Sequence, residues 1–187
     1  MEKLLQMEES ILIWIQENLR SEVMTVIMRC ITKLGNYSIL WLALAVVFLM
    51  YKNTRQVGVT TLVAIGLNTV VTNLIIKNVV ERTRPYEVIE GLNILIEKQS
   101  DFSFPSGHSS HAFAAGVVLF MMLPRKAGVP ILVLSGLIAF SRLYLGVHYP
   151  SDVIAGCLIG AVIGILSVVI VKFYLKKRKE YIDSLEI

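Results

Sequence analysis

One apolar run constrains the fold of this chain more than any other feature of the sequence. From Asp152 to Leu175 the sequence reads DVIAGCLIGAVIGILSVVIVKFYL, with Lys172 as the only charge after the first residue. Because a helix needs about 20 apolar residues to cross the hydrocarbon of a bilayer, this run predicts a membrane span. Charged residues make up 17% of the chain, against about a quarter in soluble domains, which also indicates a membrane protein.

Four further apolar runs precede this one, so the sequence predicts an all-α, polytopic membrane bundle of five transmembrane helices. The predicted spans cover approximately 37–51, 57–80, 105–124, 128–147 and 152–175. The first run is short for a span, so we expect it to include part of the preceding ITKLGN. At 187 residues the chain has room for one domain. Its predicted parts are interfacial helices over 1–35, the transmembrane bundle over 36–176 and a basic cytoplasmic tail over 177–187.

Residues 9–34 combine apolar and charged positions. Charged residues interrupt every stretch there that is long enough to cross a membrane, while apolar residues recur at helical spacing. The apolar set consists of Ile11, Ile15, Leu19, Val23 and Ile27. This pattern predicts one or two amphipathic helices along the outer interface of the membrane, with a sixth span as the alternative.

Charges in the loops predict the orientation of the bundle. Basic residues follow the predicted first, third and fifth spans, which places them on one side, and the positive-inside rule makes that side the cytoplasm. They are Lys52, Arg55, Arg125, Lys126 and the segment 176–179. The segment Glu81–Phe104 carries three basic and five acidic residues, so we expect it outside, with the turn near His148.

Three polar groups fall at the predicted outer ends of the spans, where charged residues are costly and indicate function. The first group is KNVVERTRP, in which Lys77 lies near the end of the second span and Arg84 follows seven residues later, before Pro85. The alternative interpretation is a lysine that extends toward the interface and an arginine that lies beside the membrane.

The second group is FPSGHSSH, Phe104 to His111, at the start of the third span. Ser106 and Gly107 lead into this helix, whose first N–H groups are unpaired, and a glycine lets an anion approach them closely. His108 stands where it can donate a proton to a leaving oxygen. The alternative is a serine that caps the helix beside a hydrogen-bonded histidine. His111, one turn further along the same face, is assigned to packing or to the support of the site residues.

The third group is SRLYLGVHYPSD, which ends at Asp152. Arg142 lies near the end of the fourth span, and its planar fork suits phosphate oxygens. If Pro150 opens the fifth helix, Asp152 is within reach of His148 in the turn. A carboxylate bonded to one imidazole nitrogen leaves the other free as a nucleophile. Together, the three groups supply the parts that phosphoryl transfer needs.

Three glycines recur at every fourth position of the fifth span. Gly156, Gly160 and Gly164 form a repeated small-xxx-small pattern, which lets helices approach closely. The pattern predicts tight packing inside the bundle, with self-association of two chains as the alternative.

In order and spacing, KNVVERTRP, PSGH and SRLYLGVHYPSD resemble the three-part signature of the type 2 phosphatidic acid phosphatase family of membrane lipid phosphatases. Vanadium haloperoxidases share this signature, but they are soluble proteins, and the apolar spans disfavour that branch. The signature covers residues 77–152, and the five-span layout extends the resemblance over most of the chain. Residues 1–35 are not covered by it.

The resemblance implies a role for each residue of the three groups. His148 would be the nucleophile that forms a phosphohistidine, with Asp152 orienting it, and His108 would protonate the leaving oxygen and later help to activate water. The residues that would hold the phosphate are Lys77, Arg84, Ser106, Gly107 and Arg142. The resemblance also implies hydrolysis without metal or cofactor, at the extracytoplasmic face of the cell membrane.

The expected substrate is a lipid phosphate. The small size and short loops resemble bacterial members of the family, and we expect undecaprenyl pyrophosphate, with phosphatidic acid or phosphatidylglycerol phosphate as the alternative. A lipid transporter without enzymatic activity is the rival class, but it predicts charges through the depth of the spans rather than at one end. The net charge of the chain is +4, and its basic residues lie at the ends of the spans, so we expect no nucleic-acid partner. The sequence does not predict the oligomeric state.

Overall fold

A computed structural model of the chain describes residues 2–185, with side chains over 3–184, and this part is helical with connecting turns. The all-α prediction is confirmed. The helices are α1 (Glu2–Leu19), α2 (Glu22–Gly35), α3 (Ile39–Met50), α4 (Arg55–Asn68), α5 (Lys77–Val80), α6 (Pro85–Val88), α7 (Gly107–Met122), α8 (Arg125–Tyr144) and α9 (Pro150–Leu185). A short 3-10 turn, Asn36–Ser38, joins α2 to α3, and a π-helical segment, Thr69–Ile76, joins α4 to α5.

Four helical stretches are long and apolar enough to cross a membrane. They are Glu22–Met50, Arg55–Val88, Arg125–Tyr144 and Pro150–Ser184. The third predicted span corresponds to α7, which at 16 residues is shorter than these four. Helix α7 lies at the centre of the bundle, packed against α4, α8 and α9.

The N-terminal region contains two helices, α1 and α2, where the sequence predicts one or two. The prediction extended the first span back from Tyr37 into part of ITKLGN, residues 31–36, and the observed stretch begins earlier still, because α2 continues into α3 through a kink. Tyr37 and Ser38 both have positive φ, at 49° and 57°, and this local reversal bends the chain. The hydropathy of the sequence does not reveal the continuity, because the charged residues of α2 interrupt its apolar face.

The exposed side of α9 is apolar. Large hydrophobic side chains that are about half exposed follow one face of this helix, as expected where a helix meets lipid rather than water. They include Ile154, Leu158, Val162, Leu166 and Val169.

The glycines of α9 face α7. A methyl group added at Gly156 would lie 2.7 Å from the carbonyl oxygen of Ser106, and one added at Gly164 would lie 2.7 Å from that of Ala114. A methyl group added at Gly160 would lie closer still to the α7 backbone, at the carbonyl oxygen of Ser110. The small-xxx-small pattern therefore serves packing inside the chain, where it fixes the start of α7 against the start of α9.

Candidate active site

The three polar groups of the sequence meet at one end of the bundle, around a cavity of about 920 Å³. Six of the eight predicted site residues line this cavity: Lys77, Arg84, Gly107, His108, Arg142 and His148. The other two, Ser106 and Asp152, are fully buried behind its wall. The structure therefore brings together residues that the sequence separates by up to 75 positions.

Lys77 and Arg84 both point to one acidic side chain. The carboxylate of Asp101 pairs with the ammonium of Lys77 and, at 2.6 Å, with the guanidinium of Arg84. Arg84 also donates to the backbone carbonyls of Asp101, at 2.9 Å, and Val147, at 2.8 Å. Burial raises the pKa of Asp101, but the hydrogen bonds and charges of Lys77 and Arg84 outweigh it and lower the pKa to about 2. Asp101 is therefore a carboxylate held on two of the cations of the cavity.

Ser106 and Gly107 form the start of α7. The Ser106 hydroxyl accepts from the backbone N–H of Ser109, and the Ser106 N–H donates to the carbonyl of Asp152 at 3.0 Å. The first contact caps α7 and the second ties its start to α9. A methyl group at Gly107 would lie 3.8 Å from the Lys77 ammonium. Glycine thus keeps the space next to this cation free of a side chain.

His108 is oriented by the N-terminal half of the chain. Its Nε2 lies 2.8 Å from the side-chain oxygen of Asn36, which follows α2. An amide oxygen only accepts, so Nε2 carries a proton in this arrangement. The neighbouring His111 also lines the cavity, with Nδ1 2.9 Å from the Gly107 carbonyl and Nε2 3.0 Å from the Thr69 hydroxyl. His111 therefore stabilises the first turn of α7.

Arg142 is a buried cation, 1% exposed. One of its terminal nitrogens donates to the hydroxyl of Thr32 in α2, at 2.6 Å. Its Nε has no hydrogen-bond partner among the residues that the structure describes. Since a buried N–H is costly to leave unpaired, Arg142 has a donor available for a bound anion.

His148 lies in the turn between α8 and α9. Its Nε2 is 3.4 Å from a terminal nitrogen of Arg84, and because a guanidinium only donates, Nε2 is the acceptor and Nδ1 carries the proton. Nδ1 faces Asp152 at 3.5 Å. Burial lowers the pKa of His148 well below its usual value, and the charges of Arg84 and Arg142 lower it further. The ring is therefore neutral at pH 7, with its lone pair on Nε2.

Asp152 is held by donors on both carboxylate oxygens. One oxygen accepts from the Ser103 hydroxyl at 2.5 Å and from the Tyr149 N–H at 3.0 Å. The other accepts from the guanidinium of Arg82 at 2.6 Å. These contacts fix the carboxylate that faces His148.

Several side chains around the cavity were not predicted as site residues. They are Glu8, Thr32, Asn36, Arg82, Asp101 and Ser103. Arg82 lies inside the first motif and Asp101 in the acidic loop, but four other acidic residues of that loop carry the same signal. Ser103 directly precedes the second motif, but a single serine there does not mark a site residue. Glu8, Thr32 and Asn36 lie far from the motifs in sequence, and nothing in the sequence marked them. Among residues 2–185, no three His, Cys, Asp or Glu side chains are grouped as ligands for a metal ion.

Comparison with protein-family models matches residues 57–176 to the PAP2 superfamily. Among curated proteins, an undecaprenyl-diphosphatase of Sulfolobus acidocaldarius is 33% identical over 128 residues, which are 68% of this chain and 62% of that protein. The undecaprenyl-diphosphatase BcrC of Bacillus subtilis is 33% identical over 115 residues, 62% of this chain and 56% of that protein. The chain thus spans less than two thirds of the length of either relative.

Two solved structures are similar over nearly the whole chain. LpxE of Aquifex aeolicus superposes with a TM-score of 0.75 at 28% identity, covering 88% of this chain and 93% of that one. A transmembrane PAP2 type phosphatidylglycerolphosphate phosphatase of Bacillus subtilis gives a TM-score of 0.72 at 30% identity, covering 92% of this chain and 86% of that one. The helical bundle is therefore that of a multi-pass membrane protein.

Proposed function

The chain belongs to the PAP2 superfamily, and from the geometry of its cavity we propose that it is a lipid phosphatase that works through a phosphohistidine. One observation carries the proposal: a neutral imidazole, His148, faces a cavity whose wall holds three buried cationic side chains, Lys77, Arg84 and Arg142. A nucleophile beside a site built for an anion is the arrangement that phosphoryl transfer requires. The buried charged side chains of the described residues surround this cavity, which disfavours a transport pathway through the bundle.

Binding of the phosphate is the first proposed step. Lys77, Arg84 and Arg142 neutralise the phosphate oxygens, and the free Nε of Arg142 gains a partner. Gly107 adds an unpaired N–H group at the start of α7, whereas the N–H of Ser106 is bonded to the Asp152 carbonyl, so the proposed part of Ser106 is to cap and fix this helix start. Because these donors are fixed before the substrate arrives, they stabilise charge that develops in the transition state.

Transfer of the phosphoryl group follows. Nε2 of His148 attacks phosphorus, so that a P–N bond forms as the P–O bond to the leaving group breaks. Beside the bound phosphate, His108 carries a proton on each ring nitrogen; Nδ1 gives its proton to the leaving oxygen, and Nε2 keeps the proton that it donates to Asn36. The carboxylate of Asp152 faces Nδ1–H at 3.5 Å and stabilises the positive charge that the ring acquires.

Hydrolysis of the phosphohistidine completes the cycle. Nδ1 of His108, now without its proton, accepts a proton from a water molecule, whose oxygen attacks phosphorus and breaks the P–N bond. Asn36 keeps the His108 ring in place through both steps. The proposed reaction is independent of metal and cofactor, because the three cations neutralise the phosphate charge that a metal ion would otherwise carry.

We propose undecaprenyl pyrophosphate as the substrate. The two curated relatives described above carry the name undecaprenyl-diphosphatase. The cavity supports a diphosphate, since Arg29 and Lys33 of α2 line it in addition to the three buried cations. Phosphatidylglycerol phosphate is the second candidate, favoured by the similar Bacillus subtilis structure, and phosphatidic acid the third.

The proposed location of the site is the extracytoplasmic face of the cell membrane. The loop Glu81–Phe104 beside the cavity is net acidic, whereas the basic turns and the basic end of α9 belong to the opposite side. We also propose that residues 36–176 form the catalytic bundle of one domain, followed by a cytoplasmic tail over 177–187. Of the two helices that precede residue 36, we propose that α1 lies at the interface and that α2 extends the first membrane-crossing stretch.

The test is phosphate release by purified protein in detergent with EDTA. We expect release from undecaprenyl pyrophosphate at a higher kcat/KM than from phosphatidylglycerol phosphate or phosphatidic acid. His148→Ala should abolish it, with the variant still eluting as the wild type does. Activity retained in His148→Ala would overturn the mechanism, and a higher kcat/KM for a glycerolipid would change only the substrate.

A further inference from the structure

A carboxylate from the N-terminal helix reaches the candidate active site. Glu8 of α1 is 1% exposed. One of its oxygens lies 2.6 Å from the guanidinium of Arg82, and the other accepts from the N–H and the hydroxyl of Ser151, at 2.9 and 2.5 Å. Glu8 lies outside the residues that the family model matches, 57–176. A buried carboxylate is costly unless it is paired, so its place beside Arg82 requires an explanation.

Arg82 bridges Glu8 to the start of α9. The terminal nitrogen that does not contact Glu8 donates to Asp152 at 2.6 Å and to the Ser151 hydroxyl at 2.7 Å. The guanidinium lies over the ring of Tyr149, 3.8 Å from its centre. A planar fork with donors on both sides can join two carboxylates and stack on an aromatic ring at once, which a lysine cannot do.

The contact with Arg82 helps to fix the orientation of the Asp152 carboxylate. Arg82 occupies one carboxylate oxygen, while Ser103 and the Tyr149 N–H occupy the other, which is the oxygen 3.5 Å from Nδ1 of His148. Rotation of the carboxylate would break contacts on both sides.

We propose that Arg82 and Glu8 are positioning residues that extend the His148–Asp152 pair to a chain of alternating charge. This inference rests on the proposed function of His148. Within this series of charged contacts, Arg82 fixes the orientation of Asp152, and Glu8 fixes that of Arg82. Glu8 also offsets the positive charge of Arg82, so that this charge does not cancel the stabilisation of the His148 imidazolium by Asp152. The N-terminal helix is thereby part of the catalytic apparatus and not only a membrane contact.

The first test separates kcat from KM. The probe is farnesyl diphosphate, a short-chain analogue of the proposed polyprenyl substrate. We expect Arg82→Gln and Glu8→Gln to lower kcat for it about 10- to 100-fold, the range usual for residues that orient a reactive group. KM should change less than about twofold, because neither side chain lines the cavity. Arg82→Lys should recover part of kcat, since it keeps the charge but loses the fork. Glu9→Gln, at an exposed neighbouring position, is the matched control and should leave kcat unchanged.

The second test uses the pH profile. The charged or titratable groups that face His148 are Lys77, Arg84, Asp101, His108, Arg142 and Asp152. Arg82 and Glu8 act behind them with opposite signs. Loss of the Arg82 cation raises the pKa of His148 and moves the acid limb of kcat to higher pH, whereas loss of the Glu8 carboxylate moves it to lower pH. A variant that is only destabilised would move neither limb.

The outcomes distinguish this inference from the proposed function. If His148→Ala retains activity, the proposed function fails and the inference fails with it. If His148→Ala is inactive while both Arg82→Gln and Glu8→Gln keep wild-type kcat, the inference alone is overturned. The inference alone is also overturned if the kcat of Arg82→Gln and Glu8→Gln falls only in proportion to the fraction of folded protein, which thermal unfolding measures. Should Arg82→Gln fail to fold, Arg82→Lys and Glu8→Gln carry the same test.

Discussion

The carboxylate of Asp101 lies 2.6 Å from the guanidinium of Arg84, at the side of the cavity where we propose that phosphate binds. The same carboxylate pairs with Lys77. Two of the three cations proposed to bind the substrate are therefore paired with one carboxylate of the protein itself, which offsets half of their combined charge. A phosphate that uses these cations must displace Asp101, which is half exposed and lies in a loop.

Replacing this carboxylate should strengthen anion binding. In Asp101→Asn we expect orthovanadate, a phosphate analogue, to inhibit at about tenfold lower concentration, which corresponds to about 1.4 kcal/mol. The measurement is the inhibition constant in the phosphatase assay. Glu97→Gln, an exposed acid of the same loop that also lines the cavity, is the control and should change inhibition little. Weaker inhibition in Asp101→Asn would mean that Asp101 organises the cations instead of competing for them.

The state of His148 predicts the pH range of activity. Burial and the nearby cations lower the pKa of this ring below its usual value of about 6.5, so the neutral nucleophile persists as the pH falls through 6.5. We expect the acid limb of kcat/KM, corrected for ionisation of the substrate phosphate, to lie below pH 6.5. An acid limb at or above that pH would contradict the buried environment of His148.

The lowered pKa of His148 also makes the stability of the folded protein depend on pH. Because the pKa of His148 is lower in the folded chain than in the unfolded one, only the unfolded chain gains a proton just below pH 6.5. The folded protein should therefore lose stability as the pH falls below 6.5, and this loss should be smaller in His148→Asn. The melting temperatures of the two proteins in detergent, measured between pH 5 and 7, test this expectation.

The helical bundle and the meeting of the three motifs follow from local features of the sequence. Apolar runs predict the helices, and the polar residues at their ends must lie together if neighbouring helices run in opposite directions. Pro150 and Ser106 mark the starts of α9 and α7, which places Asp152 and His108 in the first turns of their helices. Local signals were enough for these positions because each depends on residues only a few places away.

Long-range contacts explain what the sequence did not predict. Glu8 lies 74 positions from Arg82, and Asn36 lies 72 positions from His108. Such pairs depend on how α1 and α2 pack against the bundle, which no local pattern encodes. The backbone reversal at Tyr37 and Ser38 escaped prediction for a similar reason, since neither residue type favours positive φ.

The glycines of α9 predict a matched pair of variants. Gly156→Ala should destabilise the protein by about 1–3 kcal/mol and lower activity, because the added methyl meets the Ser106 carbonyl at the start of α7. Gly136→Ala, in α8, has no atom within 4 Å of the added methyl and should stabilise by about 0.5–1 kcal/mol through helix propensity. Thermal unfolding in detergent compares the two. Equal effects would show that α7 and α9 are not closely packed at Gly156.

The outward orientation of the site predicts where an introduced cysteine reacts. Glu90 is exposed in the loop beside the cavity, and replacement there avoids the positive φ of the next residue, Gly91. With Cys30 and Cys157 changed to serine, Glu90→Cys should react with a membrane-impermeant maleimide in intact cells. Lys177→Cys, in the basic end of α9, should react only after lysis, because basic segments stay in the cytoplasm. The reverse pattern would place the cavity on the cytoplasmic side, where a substrate of the outer leaflet cannot reach His148.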